Sequence, residues 1–322
     1  MRSRKIANGC GRRLGPGLIW AVWLLAAWVL VGVSRPAVAA PPTWEELRSL
    51  YDYDANAALD VQREGTTEAV GSALERVSFA SPGGGRVPAI VGVPRQGNKP
   101  YPALILLHGY GGKKDDWGPL IVALCAKGWA AIAIDAVHHG QRAEPGRNIL
   151  SNDWGSNRAA FIQTIIDERR ALDYLASRGD IDMKRVGLLG ASMGAIMGSI
   201  TTAVEPRIKC AVLAVGGGDW RQLVEKSQLG AVSALREQLV AHWDEIADQM
   251  AGIEPLNFAP HIAPRPVLML NGKQDNIVVP ACSEALYDAL GEPKEIQWFA
   301  SGHGLPIAEA LAKASQWLDG HL

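Results

Sequence analysis

The sequence has almost no excess of charge of either sign: 32 Lys and Arg stand against 33 Asp and Glu, a formal net charge of −1. It has no basic stripe and no interleaving of basic with aromatic residues, so it lacks the electrostatic footprint of a nucleic-acid binder, and nucleic acid is not an expected partner. Cysteine is scarce, with four residues in 322, and no Cys/His spacing resembles a zinc site. Beyond Cys10, the odd number Cys125, Cys210 and Cys282 allows at most one disulfide. Cys125 lies in a helix-like run and Cys210 opens a strand-like one, so both read as buried small hydrophobes. Internal repeats and low-complexity tracts are also missing. What is present, with 48% hydrophobic residues, is enough apolar material for one large α/β domain or two small ones.

The N-terminus stands apart. Arg2, Arg4, Lys5, Arg12 and Arg13 precede an uncharged run from Leu14 to Ser34, followed by Ala37-Val38-Ala39-Ala40. A basic head, an apolar middle and small residues at a cleavage site define a secretory signal peptide, expected to span residues 1–39 with cleavage after Ala39. The alternative is an uncleaved anchor, which would be the chain's one contact with a membrane. Residues 1–39 carry six basic residues and no acids, so their removal leaves 26 basic against 33 acidic residues, a net charge of −7. The expectation is a mildly acidic secreted or periplasmic domain, soluble and poorly suited to polyanions.

Residues 40–74 read as a helical or irregular segment lying against the main body, with Trp44, Leu47, Leu50, Tyr51 and Leu59 among charges. Residues 75–322 alternate. Glu75 to Phe79 and Val87 to Val93, joined by Ser81-Pro82-Gly83-Gly84-Gly85, predict a hairpin. Short apolar runs follow at 103–107, 130–134, 186–189, 210–215 and 267–270, separated by helical patterns such as 157–177, and 295–299 reads as a last strand. Unbroken apolar runs between helices are the mark of parallel strands buried on both faces. The expected fold is α/β, an eight-stranded mostly parallel sheet with helices on both faces. Residues 219–256, between the sixth and seventh strands, exceed a simple crossover and predict a helical insertion, a candidate cap over a ligand crevice.

Open α/β sheets bind ligands beyond the carboxyl ends of their strands. Gly190-Ala191-Ser192-Met193-Gly194 follows the fifth strand and precedes a helix. In this G-x-S-x-G turn, glycines two positions either side of the serine relieve backbone crowding and hold the Ser192 hydroxyl outward. Asp275 follows the seventh strand, and His303, between glycines, follows the eighth. A serine hydroxyl needs a base to accept its proton. Histidine supplies one near ambient pH, and a carboxylate fixes its tautomer and stabilises its cation. Asp219, after Gly216-Gly217-Gly218, is a rival for the acid, with the alternative of capping a helix that starts at Trp220. The developing oxyanion needs preorganised donors. His108-Gly109-Tyr110-Gly111-Gly112 follows the third strand, and the backbone amides of Tyr110 and Met193 are assigned that role, with His108 a structural loop residue. His138-His139 reads as pocket wall or surface. Trp117, Trp154 and Trp220 are candidate substrate contacts, and Asp115 and Asp116 are expected to cap the helix near Trp117.

Together these residues resemble the α/β-hydrolase superfamily, and within it the dienelactone-hydrolase-like and acetyl-esterase-like branch. Leu106-Leu107-His108-Gly109 with Gly111-Gly112 is similar to its oxyanion loop, Gly190 to Gly194 to its nucleophile turn, and Ala263-Pro264-Arg265-Pro266-Val267-Leu268 leading to Asn271-Gly272 and Asp275 to its acid-bearing strand. Dienelactone hydrolases proper use cysteine as nucleophile, and Ser192 departs from that pattern, which puts their substrate in doubt for this chain. The resemblance implies a serine esterase acting on a small-molecule or glycan ester, with no cofactor and no metal. Two other readings remain: a serine peptidase of the prolyl-oligopeptidase type, against which the short segment before the first strand argues, and a non-catalytic hydrolase-fold binding protein.

Overall fold

The computed structural model describes residues 41–69 and 71–322. The expected signal peptide of residues 1–39 lies outside them. Residues 42–322 form one compact unit, so the segment 42–74 belongs to the same body as the rest.

Among the described residues the sheet has nine strands: β1 (Gln62–Ala69), β2 (Ser72–Ala80), β3 (Arg86–Pro94), β4 (Tyr101–Leu107), β5 (Ala130–Ile134), β6 (Ile181–Ala191), β7 (Ile208–Ala214), β8 (Val267–Gly272) and β9 (Lys294–Phe299). Their order is β1-β2-β3-β5-β4-β6-β7-β8-β9. The first three pair antiparallel, as does β3 with β5, and every later pairing is parallel. The extra strand, β1, corrects the eight-strand expectation and the reading of 62–69 as helical or irregular. Its sequence QREGTTEA is exposed along almost its whole length, so no buried face imposed a two-residue period. Backbone pairing with β2, interrupted by a bulge between Arg63 and Gly65, holds it at the sheet edge.

The helices are α1 (Trp44–Ser49), α2 (Gly118–Ala126), α3 (Trp154–Ser177), α4 (Met193–Val204), α5 (Trp220–Lys226), α6 (Gly230–Ala241), α7 (Trp243–Ala251), α8 (Pro255–Phe258), α9 (Pro280–Ala289) and α10 (Ile307–Asp319). They cover both faces. Ile121 and Cys125 of α2 pack with Ala310, Ala314 and Leu318 of α10 against one side of the strands. Phe161 and Ile165 of α3 and Ile196 and Ile200 of α4 pack on the other. Every residue of β4, β5 and β8 is buried, as parallel strands covered twice must be. The predicted insertion is α5 to α8. The segment carrying α1 packs beside it: just past α1 the Tyr51 hydroxyl donates to the Gly252 carbonyl at 2.6 Å, and the Trp44 ring stacks at 3.8 Å on His261, just beyond α8.

This topology fixes where a site can form. The chain runs from β4 outward to β5, then returns across β4 to β6. The carboxyl ends of β4 and β6 therefore flank a topological switch point, where loops diverge to opposite faces and leave a crevice.

Candidate active site

Ser192 occupies the turn between β6 and α4. Its backbone lies at φ 56°, a region that costs a non-glycine residue about 1–3 kcal/mol. Its amide still donates to the Ala214 carbonyl at 2.8 Å, so the sheet ladder holds the turn in place. The glycines around it answer to close approach. A Cβ on Gly194 would stand 2.2 Å from the Leu107 carbonyl oxygen, and one on Gly190 the same distance from that of Gly194. The helix thus starts directly against the end of β4.

The loops after β8 and β9 meet as tightly. A Cβ on Gly272 would lie 2.1 Å from the Gly302 carbonyl oxygen, and the amides of Lys273 and Gln274 extend the β8–β9 ladder to the carbonyls of Phe299 and Ser301, each at 2.9 Å. This contact brings Asp275 and His303 together. His303 Nδ1 lies 2.7 Å from Asp275 Oδ2, and Nε2 lies 2.9 Å from Ser192 Oγ. The Asp275 side chain is 1% exposed, and its other oxygen accepts from the amides of Ile277 at 2.8 Å and Val278 at 3.0 Å. A carboxylate held on both oxygens leaves His303 one tautomer: Nδ1 donates to Asp275 and Nε2 faces the serine hydroxyl as acceptor.

The loop after β4 abuts this line. A Cβ on Gly109 would be 3.3 Å from that of Ser192. Among the described residues no backbone or side-chain acceptor engages the amides of Tyr110 or Met193. The Met193 amide opens α4, where the helix dipole favours negative charge. His108 stands behind the loop. Its Nδ1 donates to the Gly109 carbonyl at 2.9 Å and its Nε2 accepts from the Ala136 amide at 3.1 Å. Burial holds its basicity below the ordinary imidazole range, which suits a neutral strut between the loops after β4 and β5.

Other candidates separate. Asp219 is the N-cap of α5, its side chain accepting from the Gln222 amide at 3.0 Å, and it makes no contact with His303. Asp115 and Asp116 do not cap α2. They lie in the single 3-10 turn ahead of it, where Asp116 accepts from the Lys113 amide and Asp115 pairs with Arg76. Asp135 holds this turn from the end of β5, accepting from the Lys114 amide and pairing with its buried ammonium, each at 2.8 Å. His139 packs between His108 and Tyr110, and no cluster able to hold a metal exists among the described residues. Cys125, Cys210 and Cys282 are free and buried. Trp117 packs on the opposite face of the sheet.

A small apolar cavity of about 40 Å³ opens beside Ser192, lined among others by Tyr110, Phe161, Ile196, Trp220, Leu223 and Val278. Of the three tryptophans only Trp220 lines it. Phe161, Ile196 and Val278 escaped the sequence reading, since each looked like ordinary core. The one available signal was for Val278, three residues beyond Asp275 in the loop that binds its carboxylate. The insertion supplies Trp220, Leu223 and Val232 to its wall.

A mostly parallel sheet, doubly covered, with a serine on a strained strand-to-helix turn at its switch point, defines an α/β-hydrolase-fold protein. The chain belongs to the acetyl xylan esterase (AXE1) family, whose model matches residues 43–320, including the N-terminal segment. It is a carboxylic-ester hydrolase. The Bacillus subtilis protein YitV is 25% identical over 239 residues, covering 70% of this chain and 91% of YitV. The Escherichia coli esterase YjfP is 26% identical over 201 residues, covering 61% of this chain and 78% of YjfP. The solved acetyl xylan esterase from Paenibacillus sp. R4 superposes with a TM-score of 0.73 at 22% identity, over 87% of this chain and 93% of that one, a likeness of fold.

Proposed function

We propose that this chain cleaves short-acyl esters, acetyl groups on carbohydrate or small alcohols, through an acyl-enzyme on Ser192. Ser192 Oγ attacks the ester carbonyl as its proton passes to His303 Nε2. Asp275 accepts the hydrogen bond from Nδ1 and stabilises the imidazolium. The carbonyl oxygen, now an anion, is met by the amides of Tyr110 and Met193, each such donor being worth about 10²–10³ in rate. The tetrahedral intermediate collapses, His303 protonates the departing alkoxide, and the acyl group stays on Ser192. Water, deprotonated by the same imidazole, then attacks the acyl carbonyl and releases the acid. The observation that carries this reading is the unbroken line from Asp275 through His303 to Ser192, at 2.7 and 2.9 Å. A cavity of about 40 Å³ beside the serine supports a small acyl group, and the Paenibacillus sp. R4 neighbour, an acetyl xylan esterase, supports an acetylated glycan.

The test is Ser192→Ala, assayed on p-nitrophenyl acetate and acetylated xylan, with circular dichroism to show the fold intact. Loss of such a serine typically costs ~10⁶ in kcat, and a variant near wild-type activity overturns the assignment. The same proposal has residues 1–39 directing export and being removed after Ala39. A mature protein whose N-terminal sequence does not begin at Ala40 refutes that cleavage.

A further inference from the structure

Behind the cavity beside Ser192 lies a second one, of about 30 Å³, lined by apolar faces of α3, α5, α6 and α7. Its walls follow helical spacing. Trp154, Asn157 and Phe161 stand on one face of α3, and Val232, Leu235 and Leu239 on one face of α6. Five residues wall both cavities: Leu150, Phe161, Trp220, Leu223 and Val232. Among these the two rings form the bulk of the barrier. Phe161 meets Trp220 edge to face, ring centroids 5.4 Å apart at 81°. The indole is pinned, because its Nε1 donates to the Ile253 carbonyl at 2.7 Å and the Trp220 amide donates to Glu254 at 2.8 Å. Phe161 has no polar anchor and is held by packing alone. Asn157, the one polar side chain in the wall, spends its amide on Ser151 and offers nothing to a ligand.

We infer that the Phe161–Trp220 pair is the end wall of the acyl site, and that the chamber behind it is a closed extension of that site, fitted for the distal methylenes of a longer acyl chain. This inference rests on the serine-esterase reading above. An apolar void of about 30 Å³ is too poor in polar partners to hold ordered water, which needs two to four of them, and it accepts hydrocarbon without breaking any hydrogen bond. With the wall in place, an acyl chain longer than the first cavity must displace two packed rings. With Phe161 trimmed, the two cavities join and the same chain gains burial. Chain-length preference is then decided on α3, in a residue that takes no part in bond making.

The experiment compares kcat/KM for p-nitrophenyl acetate, butyrate and hexanoate in the wild type, in Phe161→Ala, and in Phe161→Ala combined with Leu239→Phe, whose ring refills the far chamber. The wild type should favour acetate. Phe161→Ala should raise the hexanoate-to-acetate ratio by about 10–100-fold, since a methylene in an apolar pocket is worth ~10–200-fold in specificity. The double variant should return the ratio toward that of the wild type. An unchanged ratio in Phe161→Ala overturns the inference. So does a wild type that takes hexanoate as readily as acetate, which needs no variant at all. Should Phe161→Ala fail to fold, Phe161→Leu is read in the same way. Labelling by a fluorophosphonate separates the two layers. An enzyme that labels at Ser192 and turns over with an unaltered ratio refutes the end wall alone, whereas a wild type that neither labels nor turns over refutes the serine reading and the wall with it.

Discussion

Replacing Asp275 by Asn isolates what the carboxylate does. In the native site one oxygen accepts from the amides of Ile277 and Val278, and the other accepts from His303 Nδ1. An asparagine can keep its carbonyl oxygen on the two amides, which forces its NH₂ toward His303. A donor facing Nδ1 requires that nitrogen to be unprotonated, so the proton moves to Nε2, the nitrogen that must accept from Ser192. The base is then present in the wrong tautomer. Such an exchange costs about 10⁴ in kcat, or ~5.4 kcal/mol of transition-state stabilisation. Because the amides remain satisfied, folding stability should barely change. Asp275→Ala supplies the contrast. It loses a similar amount of activity but also leaves the buried Val278 amide without an acceptor, at a cost of roughly 1–3 kcal/mol, together with the half-buried Ile277 amide, so its melting temperature should fall where that of Asp275→Asn does not. Initial rates on p-nitrophenyl acetate and thermal unfolding of both variants give the answer. An Asp275→Asn enzyme with a kcat near the wild type would refute the tautomer argument, and with it the role proposed for the carboxylate.

The rival acid gives the matching control: Asp219→Asn keeps the cap on α5 and suits the left-handed backbone at φ 66°, so both activity and melting temperature should stay at wild-type values, and a large loss of kcat would return Asp219 to the reaction. Glu168, fully buried on α3 and bonded to Thr201 of α4, has its carboxyl pushed up to about 8 by burial, so the native state holds a proton that the unfolded chain has lost. Its contribution is complete below the ordinary value of 4.5 and disappears as pH rises through about 8, so the melting temperature of the wild type should fall over that window more steeply than that of Glu168→Gln, and parallel curves would refute the shift.

The parts of the site legible in the sequence are those where a strand ends and a glycine follows. Ser192 and Asp275 come after short apolar runs, the mark of parallel strands covered on both faces, and His303 comes after the half-buried edge strand β9, so the carboxyl ends of these parallel strands share one rim. Where side-chain burial imposed no pattern, the sequence was mute. The strand β1 is exposed along almost its whole length and is held chiefly by backbone pairing with β2, which leaves little trace in residue type. The cavity walls were hidden for the opposite reason. The spacing of Trp154, Asn157 and Phe161 announces an apolar helix face, but a filled contact and a small void have the same periodicity. The Lys114–Asp135 pair was equally silent, since two charges 21 residues apart give no sign that they will be buried together.

Two kinds of precision meet at Ser192, and they have different sources. The spacing of serine, histidine and aspartate is set by backbone against backbone: α4 seated on the end of β4 at Gly194, and the loops after β8 and β9 seated on each other at Gly272. Main-chain contacts with no room for a methyl group cannot be retuned by side-chain exchange without moving the strands themselves. The far wall of the cavity beside Ser192 is built from side chains of α3, α5 and α6, whose rings and branches can be trimmed one at a time. Substitutions in its wall should therefore alter which ester is taken while leaving the rate at which a small fluorophosphonate labels Ser192 unaltered. The separation fails if trimming Phe161 slows that labelling as much as it changes chain-length preference, for then the wall would be holding the serine turn as well as the acyl group.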